Sequence, residues 1–474
     1  MERGLRIMDF PVFHLDFFGN RMLIAVIAIL HVMINHAMAV GAAPLITLME
    51  WWGVKTGDKR WDDLAYKILF VCFIVTTSIG ALTGVGIWAS TSLVNPYAIG
   101  SLIRVFFWAW FFEWIIFVTE VCLILLYFLT WKKMQNRKGL HIAIGVALSV
   151  FSWITMAVIV GILGYMMDIG TWNSTKGIIE GFFNPIYFPQ LAFRTPWAMM
   201  SAGMFALFLT YFFTPKGDQV RHRAIQFLSL WTLVWTPLTV VGAVWYWNVI
   251  PENMVTNIPT ALLTQNFTKY EEYMVVAIFL MVGTQVLVSL WGMAKPSWMP
   301  RYVLVIPFIF ALMLFGTFER VREFIRKPYI IYNYMYANGI RVQDYPLLQA
   351  QGILKHSTYV SANQVTDENK IRAGRDVFKI ACTRCHTVNG LNGIVPKLEN
   401  MYGESGWDKE KIKRYVRGMH NAVPYMPPFP GNEEELDAMV QYFLTLQKYP
   451  KTLPGAQTAG AMFPGKEPSM PSTE

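Results

Sequence analysis

The sequence predicts an all-α protein: a polytopic membrane helix bundle of about eight transmembrane helices with a small all-α domain behind it. Three observations lead there. Eight stretches are apolar and long enough to cross a bilayer, which takes about 20 residues. Only 15% of the 474 residues are charged while 54% are hydrophobic, against about 25% charged in soluble domains. After Pro328 the apolar stretches stop, and polar sequence of mixed charge takes over.

The predicted spans run over 22–50, 66–90, 102–130, 141–166, 196–213, 222–249, 272–294 and 302–319. Segment 176–195 is apolar too, but Gly181, Pro185 and Pro189 interrupt it. It reads as an interfacial or re-entrant piece beside the fifth span. The first apolar run is long and has no small-residue cleavage site, so it reads as an uncleaved signal anchor.

Charge sets the orientation. The net charge of +9 invites a nucleic-acid reading until the cations are located. Connections 51–65, 131–140, 214–223 and 295–301 carry Lys55, Lys59, Arg60, Lys132, Lys133, Arg137, Lys138, Lys216, Arg221, Arg223, Lys295 and Arg301. The opposite connections carry only Lys176, Arg194 and Lys269. Cytoplasmic loops hold the excess of Lys and Arg, so both termini are expected on the outer face. No nucleic acid is needed as a partner; membrane lipid is one.

Four regions are expected: a bundle over 1–328, a linker over 329–364, a soluble domain over 365–449 and a disordered tail over 450–474. In the soluble part, the runs 368–381, 408–419 and 433–447 read as short amphipathic helices. Asn432 with Glu435 three residues on is a capping-box start for the last. The composition excludes a wholly disordered chain, and four Cys exclude a disulfide scaffold.

Cys382-Thr383-Arg384-Cys385-His386 is a C-x-x-C-H motif, the attachment signature of one covalent c-type haem. Two thiols at this spacing bond the porphyrin vinyl groups, and the adjacent imidazole binds iron. A zinc site needs further ligands of suitable spacing, and no other Cys lies in this domain. Met426, between Pro424 and Pro427 on a stiff loop, is the expected second axial ligand, with Met401, Met419 and His420 as competitors. Met/His ligation raises the reduction potential and suits electron transfer. Residues 365–449 resemble a class I cytochrome c, including Pro396, which in such folds lies against the haem His. Such haems are attached outside the cytoplasm, in keeping with the loop charges.

Ionisable residues inside spans are costly and mark function. The first span holds His31 and His36, about 7.5 Å of rise apart and so not ligands to one iron from one face. The third holds Glu113 and Glu120 on one stripe, and Glu323 ends the eighth among Glu319, Arg320, Arg322, Arg326 and Lys327. Span direction places His31, Glu113 and Glu323 in one outer layer.

At these residues the membrane part resembles subunit I of the cytochrome bd oxidase superfamily, in order over 15–335. Arg21 followed by His31 is similar to the family's first-helix ligand segment. Gly80-Ala81-Leu82-Thr83-Gly84, then Glu113 and Glu120, resembles its second and third helices, whose two acids bind haem iron and conduct protons at a spacing of eight. Here the spacing is seven. Asn184-Pro185 with Phe193-Arg194-Thr195 resembles the stretch before the fifth helix, and Met274-Val275 the start of the seventh. Glu323-Phe324-Ile325-Arg326-Lys327-Pro328-Tyr329 resembles E-x-G-R-Q-P-W, whose Glu ligates a b-type haem.

The resemblance implies one or two non-covalent membrane haems, b-type with a d-type as a further option. It implies His31 and Glu323 as ligands, Arg326 beside the haem, and Glu113 and Glu120 as ligand or proton conduit. Two departures follow. Arg194 stands where the family has the His that pairs with Met274 on the quinol-side haem, and guanidinium cannot ligate iron. The connection between spans six and seven is also too short for the family's quinol loop. Quinol is therefore disfavoured, and a periplasmic cytochrome c or other redox protein is the expected electron partner. The family's usual pairing implies a second membrane subunit. The expected protein moves electrons between the c-type haem and the membrane haems and reduces oxygen or a related small oxidant. The alternative is a non-catalytic electron-transfer subunit linking a redox partner to membrane haem or quinone.

Overall fold

A computed structural model describes residues 8–215, 217–263 and 271–448. The tail expected to be disordered, 450–474, lies outside the described residues. Among the described residues, eight helices are long and apolar enough to cross a membrane: α1 (Asn20–Thr56), α2 (Lys59–Val94), α3 (Phe107–Thr130), α4 (Gln135–Met167), α5 (Tyr187–Phe213), α6 (Gln219–Val249), α7 (Tyr273–Ala294) and α8 (Val303–Ile325). The chain is thus an all-α, multi-pass membrane protein. Its described residues divide into two compact units, one within 27–87 and 102–325 and one within 8–26, 88–101 and 326–448.

In the first unit α5 is the central helix, buried along most of its length. It packs against α6, α8, α4 and the middle of α1. Lipid supplies no hydrophobic drive between helices, so close backbone approach through small residues holds them. Gly41 of α1 meets Ala198, where an added Cβ would sit 2.1 Å from the Ala198 carbonyl oxygen. Gly242 of α6 meets Ala192 in the same way, at 2.4 Å. Alanine at either position would push two helices apart.

The fifth span begins nine residues before the expected start at 196. Pro185 ends the short helix Ile178–Phe182 region, and Pro189 falls in the first turn of α5, where a missing N–H costs nothing. Residues 176–186 thus form a short helix and a turn, and the long apolar helix runs from Tyr187. Two helices carry π-helical turns, Asn35–Val40 in α1 and Thr76–Gly80 in α2. Such insertions concentrate at functional sites.

In the second unit, α9 (Tyr345–Gln351), α10 (Lys370–Cys382), α11 (Ile394–Tyr402), α12 (Lys409–Ala422) and α13 (Glu433–Lys448) surround one core of Leu348, Ile353, Val377, Phe378, Met439 and Phe443. α10 and α13 touch where Gly374 faces the Ala438 carbonyl, which an added Cβ would meet at 2.0 Å. The expected capping box is present. Asn432 Oδ1 accepts from the Glu435 amide at 2.9 Å, and Glu435 accepts from the Asn432 amide at 3.2 Å.

Residues 329–364, expected as a linker, are instead folded over much of their length. Strands β1 (Tyr329–Ile331) and β2 (Met335–Tyr336) pair antiparallel, and Ile353 and Leu354 are fully buried. Glu435 holds this segment by accepting from the amides of Ile353 and Leu354, each at 2.8 Å. The segment supplies core side chains to the small helices.

Candidate functional site

The c-type motif begins at the C-terminus of α10. Cys382 and Cys385 are half-buried free thiols, and burial, then the neighbouring Cys385, pushes Cys382 up to about 12. His386 Nδ1 donates to the Asn392 carbonyl at 3.0 Å, which fixes the tautomer and leaves Nε2 for iron. Asn392 adopts φ +59°, and its side chain donates to the Cys385 carbonyl at 2.6 Å. Burial lowers His386 to about 4, so the imidazole is neutral at pH 7, the form a metal binds. This donor set fits a covalent haem.

The loop holding these residues is braced from the N-terminal segment. Leu391 donates to the Phe17 carbonyl at 3.1 Å, Val388 to the Asp16 carboxylate at 2.7 Å, and Asn20 Nδ2 to the Thr383 carbonyl at 3.2 Å. Arg384 is fully buried inside the motif and donates to the carbonyls of Val94 and Ile380, each at 3.1 Å. The lone signal for these partners in the sequence is a charged residue within C-x-x-C-H.

Among the axial candidates, Met426 is half-buried on the Pro424–Pro428 loop, whereas Met401 is 45% exposed. His420 Nδ1 donates to the Met426 carbonyl at 2.6 Å, and Met419 packs against the core. His420 thus reads as a support for the loop that carries Met426.

In the bundle, His31 is oriented by α2. Its Nδ1 lies 3.2 Å from the Gly80 carbonyl and 3.3 Å from Thr83 Oγ1. Gly80 closes the π-helical turn, and Gly84 presents no Cβ to the ring, where one would come 3.2 Å from Cε1. With Nδ1 donating to a carbonyl, Nε2 carries the lone pair, and the Asn35 side-chain amide lies 3.5 Å from it.

Glu113 and Glu120 differ in surroundings. Glu120 accepts from Ser152 and, at 3.0 Å, from Thr155, both on α4. Glu113 is half-buried between Phe112 and Trp114, both more than half exposed. Glu323 is half-buried and interacts electrostatically with Arg322. Arg326 is buried and begins the other compact unit.

One group was seen in the sequence only as separate residues. Arg194 of α5, 1% exposed, donates to Glu319 at 2.6 Å and faces His36 Nε2 at 3.1 Å. His36 Nδ1 lies 3.1 Å from the Val32 carbonyl, so Nε2 carries the lone pair that accepts from Arg194. Glu319 takes a second guanidinium from Arg322 at 2.8 Å. Trp197 and Phe315 stack beside this group at 4.1 Å. Arg194 is thus held in an ion pair with Glu319, and a guanidinium does not ligate iron, in line with the loss expected at this position.

Residues 369–443 match the family model described as cytochrome C oxidase, cbb3-type, subunit III. Among solved structures, the chain is similar to the bd oxidase from Geobacillus thermodenitrificans, with a TM-score of 0.56 and 14% identity over 68% of this chain and 90% of that one. No curated protein matches. The membrane part has the fold of that oxidase, and a cytochrome-type domain follows it.

Proposed function

We propose that the protein is a membrane haem redox protein that passes electrons between a c-type haem at Cys382, Cys385 and His386 and a haem site in the bundle centred on His31. The single observation that carries this reading is the shared treatment of the two histidines. In each, Nδ1 is tied to a backbone carbonyl, Asn392 or Gly80, so Nε2 carries the lone pair that a metal can take, with the Asn35 amide at 3.5 Å as its partner in His31. A haem at each position would supply a one-electron carrier.

In this reading the chain's own groups do the following. His386 and Met426 take the two axial positions of the c-type haem. His31 and Glu323 hold membrane haem, with Arg326 beside its acidic edge groups. Glu120, held by Ser152 and Thr155, keeps or passes a proton within the membrane, and Glu113 is the next acid on its stripe. Arg194 fills the position of a further haem, so at most two non-covalent haems are expected. The electron donor is a periplasmic cytochrome c or similar redox protein, and the acceptor is oxygen or a related small oxidant. The protein then sits in a bacterial-type inner membrane with its cytochrome domain in the periplasm. Reduced-minus-oxidised spectra of the purified protein test this: c-type and b-type bands together support it, and a c band alone removes the membrane haem.

A further inference from the structure

A second buried polar group lies in the bundle, where α1, α2, α3 and α4 approach the loops that carry most of the Lys and Arg. Glu50 and His141 are both fully buried. His141 Nε2 lies 2.9 Å from the Tyr127 carbonyl, and its Nδ1 lies 2.6 Å from Glu50 Oε1. A carbonyl only accepts, so Nε2 bears a hydrogen. A neutral imidazole would then turn a bare Nδ1 toward a carboxylate, and two acceptors do not bond. The pair therefore holds one shared proton, as imidazolium with carboxylate or as imidazole with carboxylic acid.

This pair has an outer and an inner side. Outward, Lys138 Nζ donates to Glu50 at 2.9 Å and also to Asp62, and both are slightly exposed. Trp131 and Gln135 hold Asp62 in place, at 3.2 and 3.1 Å. Inward, the Tyr127 hydroxyl donates to the other Glu50 oxygen at 2.8 Å, and its ring stacks on His141 at 4.6 Å. Thr47 Oγ1 and the Tyr127 ring both lie against Gly145, where an added Cβ would meet the hydroxyl at 2.5 Å.

The helices continue the line. Tyr127, Glu120 and Glu113 are spaced by seven on α3, and His141, Gly145, Leu148, Ser152 and Thr155 follow a four-three spacing on α4. Both patterns keep side chains on one face. Glu120 thus lies on the stripe that starts at Tyr127, and Ser152 and Thr155 lie on the one that starts at His141.

We propose that Glu50 and His141 form a proton-uptake site for the redox chemistry of this bundle, with Lys138 and Asp62 as its mouth and Tyr127 and Thr47 as its inner exit toward Glu120. The proposal rests on the redox reading above. One proton enters from water through the Lys138 and Asp62 side and joins the pair. One proton leaves through the Tyr127 hydroxyl, so the pair returns to its starting charge. Between Thr47 and Ser152 the proposed route spans about two turns of α4 and requires water to carry the proton. The proton compensates the electron that reduces the membrane haem, and no other reactant is required.

The test is electrochemical reduction of the full-length protein, read by haem absorbance and by infrared difference in H2O and D2O. The parent should show a carboxyl signal that changes with reduction and shifts in D2O, and Glu50→Gln should lose it. Tyr127→Phe keeps the stacked ring and removes only the hydroxyl. It should slow reduction of the membrane haem about tenfold and leave the c-type haem rate unchanged. Where Glu50→Gln fails to assemble, Tyr127→Phe alone decides. Full haem bands with an unchanged infrared signal and unchanged rates would overturn the proposal and leave the group as a packing ion cluster. A parent protein without a non-covalent haem band would instead remove the redox reading on which it rests.

Discussion

Arg194 donates to Glu319 across 2.6 Å in the middle of the bundle, with both side chains buried. A buried ion pair is kept or lost as a unit, because removing one partner strands the other charge. Arg194→Leu should therefore lower stability by about 3 kcal/mol or more. The non-covalent haem content of the surviving protein should match the parent's. Thermal unfolding with a pyridine haemochrome count checks both, and three non-covalent haems in the parent would contradict the assignment of this position.

His31→Ala should lose membrane haem and keep the c-type band, because the Nε2 that Gly80 and Thr83 orient is then gone. Glu323→Ala should do the same. Haem stoichiometry by absorbance reads the result, and full haem content in both variants would end the ligand assignment.

Met426→Ala should leave the c-type haem attached, since Cys382 and Cys385 are untouched. The iron should lose its sixth ligand and its reduction potential should fall, because Met/His ligation raises the potential. Met401→Ala should change neither. Redox titration of the two variants separates them.

Asp437 accepts from Lys370 and Lys409 at 2.8 Å each and from Lys413 at 3.1 Å. Burial pulls this carboxyl up, but the three ammonium groups outweigh it and hold its pKa well below the usual carboxylate range. Its contribution is present above the unfolded pKa of about 3.9 and is lost as the pH falls toward the folded value. Unfolding of the small helical unit should be insensitive to pH from 7 to about 5 and should weaken below about 4. Asp437→Asn should flatten that slope and cost about 1 kcal/mol at neutral pH. Denaturant titrations across this range provide the check.

Much of the architecture was legible because the bilayer imposes length and apolarity on each span. All eight helices were read in order from these two properties, and the C-x-x-C-H spacing located the small helical domain. The start of α5 was missed because Pro189 looks like a breaker but sits in the first turn, where proline is tolerated. The folded part of 329–364 was missed because its burial comes from tertiary contacts, such as Glu435 with the Ile353 and Leu354 amides, that leave no local period. Arg194 was legible as a departure from the family pattern. Its partners were not, since His36, Glu319 and Arg322 come from helices far apart in the chain. The orienting carbonyls of Gly80 and Asn392 carry no side-chain signal at all.

The measurement that bears most directly on the whole account is a pair of optical difference spectra, reduced minus oxidised and reduced with and without carbon monoxide, on the purified full-length protein. A low-spin c band together with a non-covalent haem band that shifts with carbon monoxide is the expected result. A spectrum holding only low-spin c-type haem, unmoved by the ligand, would contradict it.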